Sequence, residues 1–266
     1  MSVPLSAVQD GCDEQVQLLL PAIMSTPSNA LDPFLKPVLQ VDTQDRYLVR
    51  SSILAALKAQ VHRFHGTFLD VGCGIQPYRS LITSAPGKVQ RYIGMDLADN
   101  MVSGYRAVPP DLQWNGVQIP LPDASVDSAM ATEVLEHCPD PVAVLTEIHR
   151  VMRPGGTFFF TVPFLWPLHD VPYDEHRYTP FALERMLAQV GFEDRTVRPT
   201  GGWDASLAQM IGLWVSRRPM SAGKRRLLKW ISLPIVRALA ARDTVPDPRS
   251  SPMITGLWGV ARKPAP

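Results

Sequence analysis

From residue 45 onward the apolar positions fall into two alternating rhythms. Residues 45-DRYLVRSSILAALKAQV-61 place them at helical spacing, whereas 67-TFLDV-71 is a short β-branched and aromatic run of strand type. Further strands fit 91-RYIGMD-96, 111-DLQWN-115 and 125-SVDSAMAT-132. The segment 141-PVAVLTEIHRVM-152 returns to helical spacing with proline at its first position, and it stops at 154-PGG-156 before the strand 157-TFFFTVP-163. Such alternation predicts an α/β fold, a parallel sheet covered by helices on both faces with ligands at the carboxyl ends of its strands. Upstream, residues 1 to about 40 carry Pro4, Pro21, Pro27, Pro33 and Pro37 with little periodicity. They read as an irregular arm, residues 1–44, with one short helix near 13-DEQVQLLL-20, ahead of a single domain over residues 45–266.

Composition narrows the class without naming it. The 266 residues are 45% hydrophobic and 19% charged, the balance of a soluble globular protein. A formal net charge of +1 gives no argument for a nucleic-acid partner. No uninterrupted apolar run approaches the roughly 18 residues of a membrane span, and the first residues lack the pattern of a secretory signal, so the expected location is the cytoplasm. Cys12, Cys73 and Cys138 are odd in number and far apart, and read as reduced, small apolar residues.

The stretch 67-TFLDVGCGIQPY-78 carries the first chemistry. A strand that ends in Asp70 and runs into Gly72 and Gly74 at a helix start brings bare backbone and a positive helix end close to a ligand. Asp96 ends the next strand, where an acid in such folds accepts hydrogen bonds from ribose hydroxyls. Together these residues favour a nucleoside-containing cofactor. A nicotinamide dinucleotide would use a third glycine to seat its pyrophosphate, and this chain has Pro77 there.

Several ordered segments resemble the class I methyltransferases that use S-adenosyl-L-methionine. The stretch 69-LDVGCG-74 is similar to their first motif, 93-IGMDL-97 to the ribose-binding strand end, and 119-IPLPDASVD-127 to their L-P-F-x-D-x-S-F-D segment. Next, 133-EVLEH-137 resembles the end of their fourth strand, and 149-HRVMRPGGTFFFTVP-163 the helix, turn and fifth strand that follow. The resemblance implies a Rossmann-like, seven-stranded, mostly parallel sheet whose last, antiparallel strand is 254-ITGLWGVARKP-264. It also implies that Asp70, Gly72, Cys73 and Gly74 face the methionine part of the cofactor, Asp96 and Leu97 the ribose, and Asn115 with Gly116 the adenine. Asn115 stands where the family often has aspartate. Thr132 and Glu133 would lie near the sulfonium.

The acceptor side is expected just past the fifth strand, in 163-PFLWPLHDVPYDEHRYTP-180. His169, Pro172, Asp174, Arg177, Tyr178 and Thr179 match an H-x-x-P-x-D-x-x-R-Y-T loop of some family members. His169 or His176 is the candidate general base, because imidazole ionises nearest to neutrality, and Asp174 is the candidate carboxylate beside them. Two other readings stand: His169, Asp174 and Arg177 pin the loop, or His169, Asp170, Glu175 and His176 hold a metal. Methyl transfer from a sulfonium requires no metal, and none is expected. His137 reads as structural or cofactor-adjacent rather than as a base.

Between the last two strands, residues 205–242 contain eight arginines and lysines and no acid, interleaved with apolar helical stretches. Such a basic helical insertion can lie on an anionic membrane surface or cover a lipid-linked acceptor, or it can be a lid or a dimer face. The expected activity is methyl transfer to an oxygen, nitrogen or carbon of a small-molecule or lipid- or sugar-linked acceptor. The alternatives are a non-catalytic cofactor-binding scaffold and a nicotinamide-dependent oxidoreductase.

Overall fold

Three consecutive phenylalanines show how the sheet divides the core. Phe158 and Phe160 join Leu69, Ile93, Leu145 and Ile148 in one cluster, while Phe159 joins Leu57, Phe64, Phe68 and Met130 in another. Side chains of an extended strand point alternately to opposite faces, and a covered parallel sheet buries both. The computed structural model describes residues 32–84, 88–97, 109–250 and 252–265, which belong to one unit, Asp32–Pro266. The helix expected near residues 13–20 and Cys12 lie outside the described residues.

The strands are β1 (His65–Val71), β2 (Lys88–Leu97), β3 (Leu112–Trp114), β4 (Val126–Thr132), β5 (Met152–Pro163), β6 (Glu193–Pro199) and β7 (Gly256–Arg262). They form one seven-stranded sheet in the order β3-β2-β1-β4-β5-β7-β6. Strand pairs from β3 to β5 are parallel, and β7 runs antiparallel to both β5 and β6. The chain winds outward from β1 to β3, then returns to place β4 on the other side of β1. That reversal leaves a crevice above the carboxyl ends of β1 and β4, where open α/β sheets bind ligands.

Helices α1 (Tyr47–Gln60), α2 (Arg79–Ser84), α3 (Pro141–Val151), α4 (Pro180–Val190), α5 (Trp203–Arg217) and α6 (Ala222–Arg242) complete the unit. The ends of α3 and α4 follow local chemistry. Asp140 accepts from the Ala143 N–H at 3.0 Å and Thr179 from the Ala182 N–H at 3.2 Å, each followed by proline at the first helical position. Gly191 closes α4 at φ 100°.

One expectation needs correction, and one gap is filled. The 154-PGG-156 stretch is not a turn ahead of β5 but part of that strand, which begins at Met152, pairs Met152 with Val126, and shifts register between Val126 and Ser128. Residues 180–199, outside every expected element, form α4 and β6. The insertion before β7 is two helices, α5 and α6. Its contact with residues 42–45 is close: a Cβ on Gly212 would stand 2.3 Å from the Gln44 carbonyl oxygen. Buried Gln44 accepts from the Ser232 hydroxyl and donates to the Lys229 carbonyl, both at 2.8 Å. Asp243, just past α6, accepts from the Gly202 and Ala205 N–H groups at 3.0 and 2.9 Å, which ties the two ends of the hairpin together.

Candidate active site

The glycine turn after β1 lies in the crevice. Gly72 and Gly74 have φ of 65° and 50°, a left-handed conformation that side chains resist. A Cβ on Gly72 would meet Val134 at 2.5 Å, so this glycine lets the turn pack on the chain after β4. A Cβ on Gly74 would meet nothing within 4 Å, so its open side is available to a ligand. The turn is held from the next strand: the Gly74 N–H donates to Asp96 Oδ2 at 2.8 Å and the Cys73 N–H to the Met95 carbonyl at 3.0 Å. Cys73 and Cys138 are free and buried, and burial pushes the Cys73 thiol well above its ordinary range and that of Cys138 up to about 12. Neither is a poised nucleophile.

Asp70 is 1% exposed, and its Oδ2 accepts from the Tyr92 hydroxyl while Oδ1 has no partner. Burial raises its carboxyl to about 7 against the lowering effect of Tyr92, with nearby Asp96 adding a smaller upward push. A buried acceptor without a donor carries an uncompensated cost of about 1–3 kcal/mol, which a cationic or N–H-bearing ligand would relieve. Asp96 is half-buried and uses one lone pair of each oxygen on backbone, Oδ2 on Gly74 and Oδ1 on the Leu97 N–H at 2.8 Å. The remaining lone pairs suit a pair of hydroxyls.

Beyond Asp96, Leu97 is an exposed apolar side chain 3.3 Å from where a Cβ on Gly116 would stand. Exposed Asn115 accepts on Oδ1 from the Val117 and Gln118 N–H groups at 3.0 and 2.8 Å. Its oxygen is therefore engaged, and the amide N–H group is what it offers a ring. Thr132 ends β4, and Glu133 follows at φ 55° with Oε1 accepting from the Thr161 hydroxyl at 2.8 Å. Burial raises the Glu133 carboxyl to about 7 in spite of Thr161 and of the Arg177 charge. The residues from Asp70 to Glu133 fit a ligand with an ammonium or sulfonium charge, vicinal hydroxyls and a flat ring.

The loop after β5 is organised around Asp174, whose side chain is fully buried. Arg177 grips it with two bonds, to Oδ1 at 2.6 Å and Oδ2 at 2.8 Å, while the backbone N–H and Nδ1 of His169 both approach Oδ2 at 3.1 Å. Burial alone would raise this carboxyl, yet the Arg177 and His169 bonds hold it down at about 2. An ionised carboxylate only accepts, so His169 carries its proton on Nδ1 and presents a lone pair at Nε2. Burial, with opposition from Asp174, lowers the His169 pKa, which keeps the ring neutral. His176 is not brought to His169; its ring lies 5.5 Å from that of Tyr178 with Nε2 buried and unpartnered.

What faces His169 comes from 32 residues upstream. The rings of His137 and His169 are 4.9 Å apart, and one ligand atom from each of Glu136, His137 and His169 lies within 4.8 Å of the others. This group, rather than His169, Asp170, Glu175 and His176, is the His and acid cluster among the described residues. Glu136 is 0% exposed with neither carboxylate oxygen hydrogen-bonded, and burial drives its pKa well above the ordinary value. Sequence reasoning missed Glu136. Its signal was the second acid of 133-EVLEH-137, three residues after Glu133.

A family model described as a methyltransferase domain matches residues 69–160. A "Probable S-adenosylmethionine-dependent methyltransferase" of Mycolicibacterium smegmatis is 33% identical over 142 residues, covering 50% of this chain and 54% of that protein. The demethylmenaquinone methyltransferase of Geobacillus stearothermophilus is 33% identical over 169 residues, covering 49% of this chain and 72% of that protein. A solved S-adenosylmethionine-dependent methyltransferase from Archaeoglobus fulgidus shares the fold, with a TM-score of 0.51 and 16% identity over 84% of this chain and 97% of that one. The chain belongs to the class I S-adenosylmethionine-dependent methyltransferases, whose cofactor is S-adenosyl-L-methionine. It spans about half the length of the first curated relatives it matches.

Proposed function

We propose that this chain is a methyltransferase acting on an oxygen, nitrogen or carbon of a small-molecule or lipid- or sugar-linked acceptor. The observation that carries the reading is the unpartnered buried oxygen of Asp70 at the end of β1, followed four residues on by Gly74, which is open on its Cβ side. The bound cofactor supplies a methyl group already activated on a sulfonium. For the protein there remain binding, orientation, exclusion of water and custody of a proton. Asp70 and the Gly72–Gly74 turn hold the amino-acid end, Asp96 the ribose, and Leu97, Asn115 and Gly116 the adenine. Thr132 and Glu133 would lie near the charged centre. Incubation with isotopically labelled cofactor and a panel of metabolites, read by mass spectrometry, tests this directly. Label in no acceptor, together with no binding of S-adenosylhomocysteine, rejects it.

On the acceptor side His169 is the base, with Asp174 as the residue that fixes its tautomer. His169→Ala should lower turnover roughly a hundredfold or more and leave S-adenosylhomocysteine affinity unchanged, the scale of general-base loss. A structural role instead lowers thermal stability and keeps turnover at saturation.

The acceptor's setting is an anionic membrane surface. On α5, Trp203, Leu207, Met210 and Trp214 are exposed at helical spacing; on α6, so are Leu227, Trp230, Ile231 and Ile235. Exposed Lys224, Arg226 and Arg242 accompany them, and no described helix is long and apolar enough to cross a membrane. Apolar and aromatic faces with basic neighbours match the interfacial mode of binding, each cation adding about 1 kcal/mol near anionic lipid. The chain should sediment with phosphatidylserine vesicles at low salt, be released as salt rises, and lose binding on Trp230→Glu. Absence of sedimentation at every ionic strength rejects the membrane. Concentration-dependent self-association that Trp230→Glu abolishes assigns the face to a second copy.

A further inference from the structure

We infer that Glu136, His137 and His169 form a binding site for a divalent cation on the acceptor side of the sheet. The three residues offer a carboxylate oxygen and two imidazole nitrogens within 4.8 Å of one another, with His137 Nε2 at 3.9 Å from Glu136 Oε1. Ligands bound at about 2.0–2.2 Å around one ion stand about 3–3.5 Å apart, so modest side-chain rotation closes the set.

Both imidazoles keep one nitrogen free for a ligand. His137 Nδ1 lies 2.9 Å from the Tyr173 carbonyl, which only accepts, so its proton is on Nδ1 and Nε2 bears the lone pair. His169 Nδ1 is likewise committed to Asp174. Metal-binding histidines characteristically donate their second N–H to a carbonyl or a carboxylate, and here one does each. The Tyr173 carbonyl and Asp174 belong to the same loop, whose Arg177 clamp sets Asp174 in place.

Glu136 supplies the independent observation. Its side chain is fully buried, both oxygens lack hydrogen-bond partners, and its backbone is pinned because its carbonyl accepts from the Glu175 and His176 N–H groups at 2.9 and 3.1 Å. A buried carboxyl with no hydrogen-bond partner is left with a proton or a cation to neutralise it, and a bound ion displaces the proton. Two imidazoles and one carboxylate suit ions such as zinc, cobalt, iron or manganese, and three protein ligands leave a coordination position open. Resting on the methyltransferase reading, that position takes an oxygen donor of the acceptor and orients it. In the ion-free chain His169 Nε2 takes a proton; with the ion present it is a ligand.

Cobalt(II) is the probe. Titrated alone into the full chain, it should give saturable visible d–d absorption at one equivalent and raise the thermal midpoint. Glu136→Gln, nearly isosteric, and His169→Ala should each abolish the saturable signal. Asp174→Asn, which touches no ion, should weaken binding by roughly 10–100-fold, the effect of losing a histidine's orienting partner. Glu175→Gln, next to the cluster but outside it, should bind as the parent does. No saturable binding by the parent chain, or equal binding by Glu136→Gln and His169→Ala, overturns the site. S-adenosylhomocysteine calorimetry on the same samples separates the two readings. Cofactor binding without cobalt binding removes the ion alone, and cobalt binding without cofactor binding removes the methyltransferase reading alone.

Discussion

Asp70 and Asp174 are both aspartates with buried side chains at the carboxyl end of one sheet, and their environments drive them in opposite directions. Asp70 is raised to about 7 with one oxygen unpartnered, and Asp174 is held at about 2 with both oxygens bonded to Arg177 and one also to His169. The cofactor half is thus left incomplete, awaiting a ligand's charge. The loop after β5 is complete in itself, and in the proposed reading it aims His169. On that reading Asp174, a candidate catalytic residue from its sequence position, is a positioning residue.

The largest expected contrast lies in pH. The unfolded chain releases the Asp70 proton near 3.8, while the folded chain keeps it to about 7. Its contribution to stability is therefore full below pH 3.8 and is lost as pH rises to about 7; Glu133, raised from 4.5 to about 7, acts in the same sense. At about 1.4 kcal/mol per unit, Asp70 alone changes cofactor-free stability by on the order of 4 kcal/mol across that window. Asp174 acts oppositely: its contribution is present above pH 3.8 and is lost as pH falls through about 2. Urea unfolding at a series of pH values should show the cofactor-free chain weakening from pH 4 to 7, a decline that Asp70→Asn reduces. Stability rising with pH over that range would remove Asp70 as a strained acid.

The second contrast is mutational. Asp174→Ala leaves the partly exposed Arg177 guanidinium without its carboxylate and should cost about 1.5–3 kcal/mol, the scale for hydrogen bonds to a charged group. S-adenosylhomocysteine affinity should be preserved, because that loop does not hold the cofactor. Equal losses of stability and cofactor affinity would mean that the two halves are one site. A smaller effect is expected at the turn. Gly72→Ala forces a Cβ to 2.5 Å from Val134 at φ 65°, a strain of about 1–3 kcal/mol that thermal unfolding will read.

The two halves also differ in how far they can be read from the chain. The cofactor half is assembled from short-range chemistry: a strand end, two glycines at positive φ, and an acid closing the adjacent strand. Each of these leaves a mark within a few residues, so Asp70, Gly72, Gly74 and Asp96 are recognisable in order. Asn115 shows the limit, because which of its amide atoms is free depends on the local turn that its oxygen caps. The acceptor half depends on contact between segments. His169 meets His137 and Glu136 only because β4 and β5 are neighbours and their trailing loops converge, and no spacing rule announces a partner 32 residues away. Helix α4 is in fact legible, with Leu183, Met186, Leu187 and Val190 at helical spacing between a Thr179–Pro180 start and Gly191, whereas the charged run Glu193–Pro199 of β6 gives no strand pattern. The basic insertion was legible as charge. Its attachment was not, since Gly212 and Gln44 meet across more than 160 residues.

The central claim is that the ends of β1, β2 and β4 hold S-adenosyl-L-methionine, and calorimetric titration of S-adenosylhomocysteine into the parent chain and Asp96→Ala tests it most directly. Saturable one-site binding is predicted for the parent, weakened in Asp96→Ala by about 1.5–3 kcal/mol, the range for losing hydrogen bonds to a charged group. No binding of S-adenosylhomocysteine by the parent, with tight binding of a nicotinamide dinucleotide, would contradict the account.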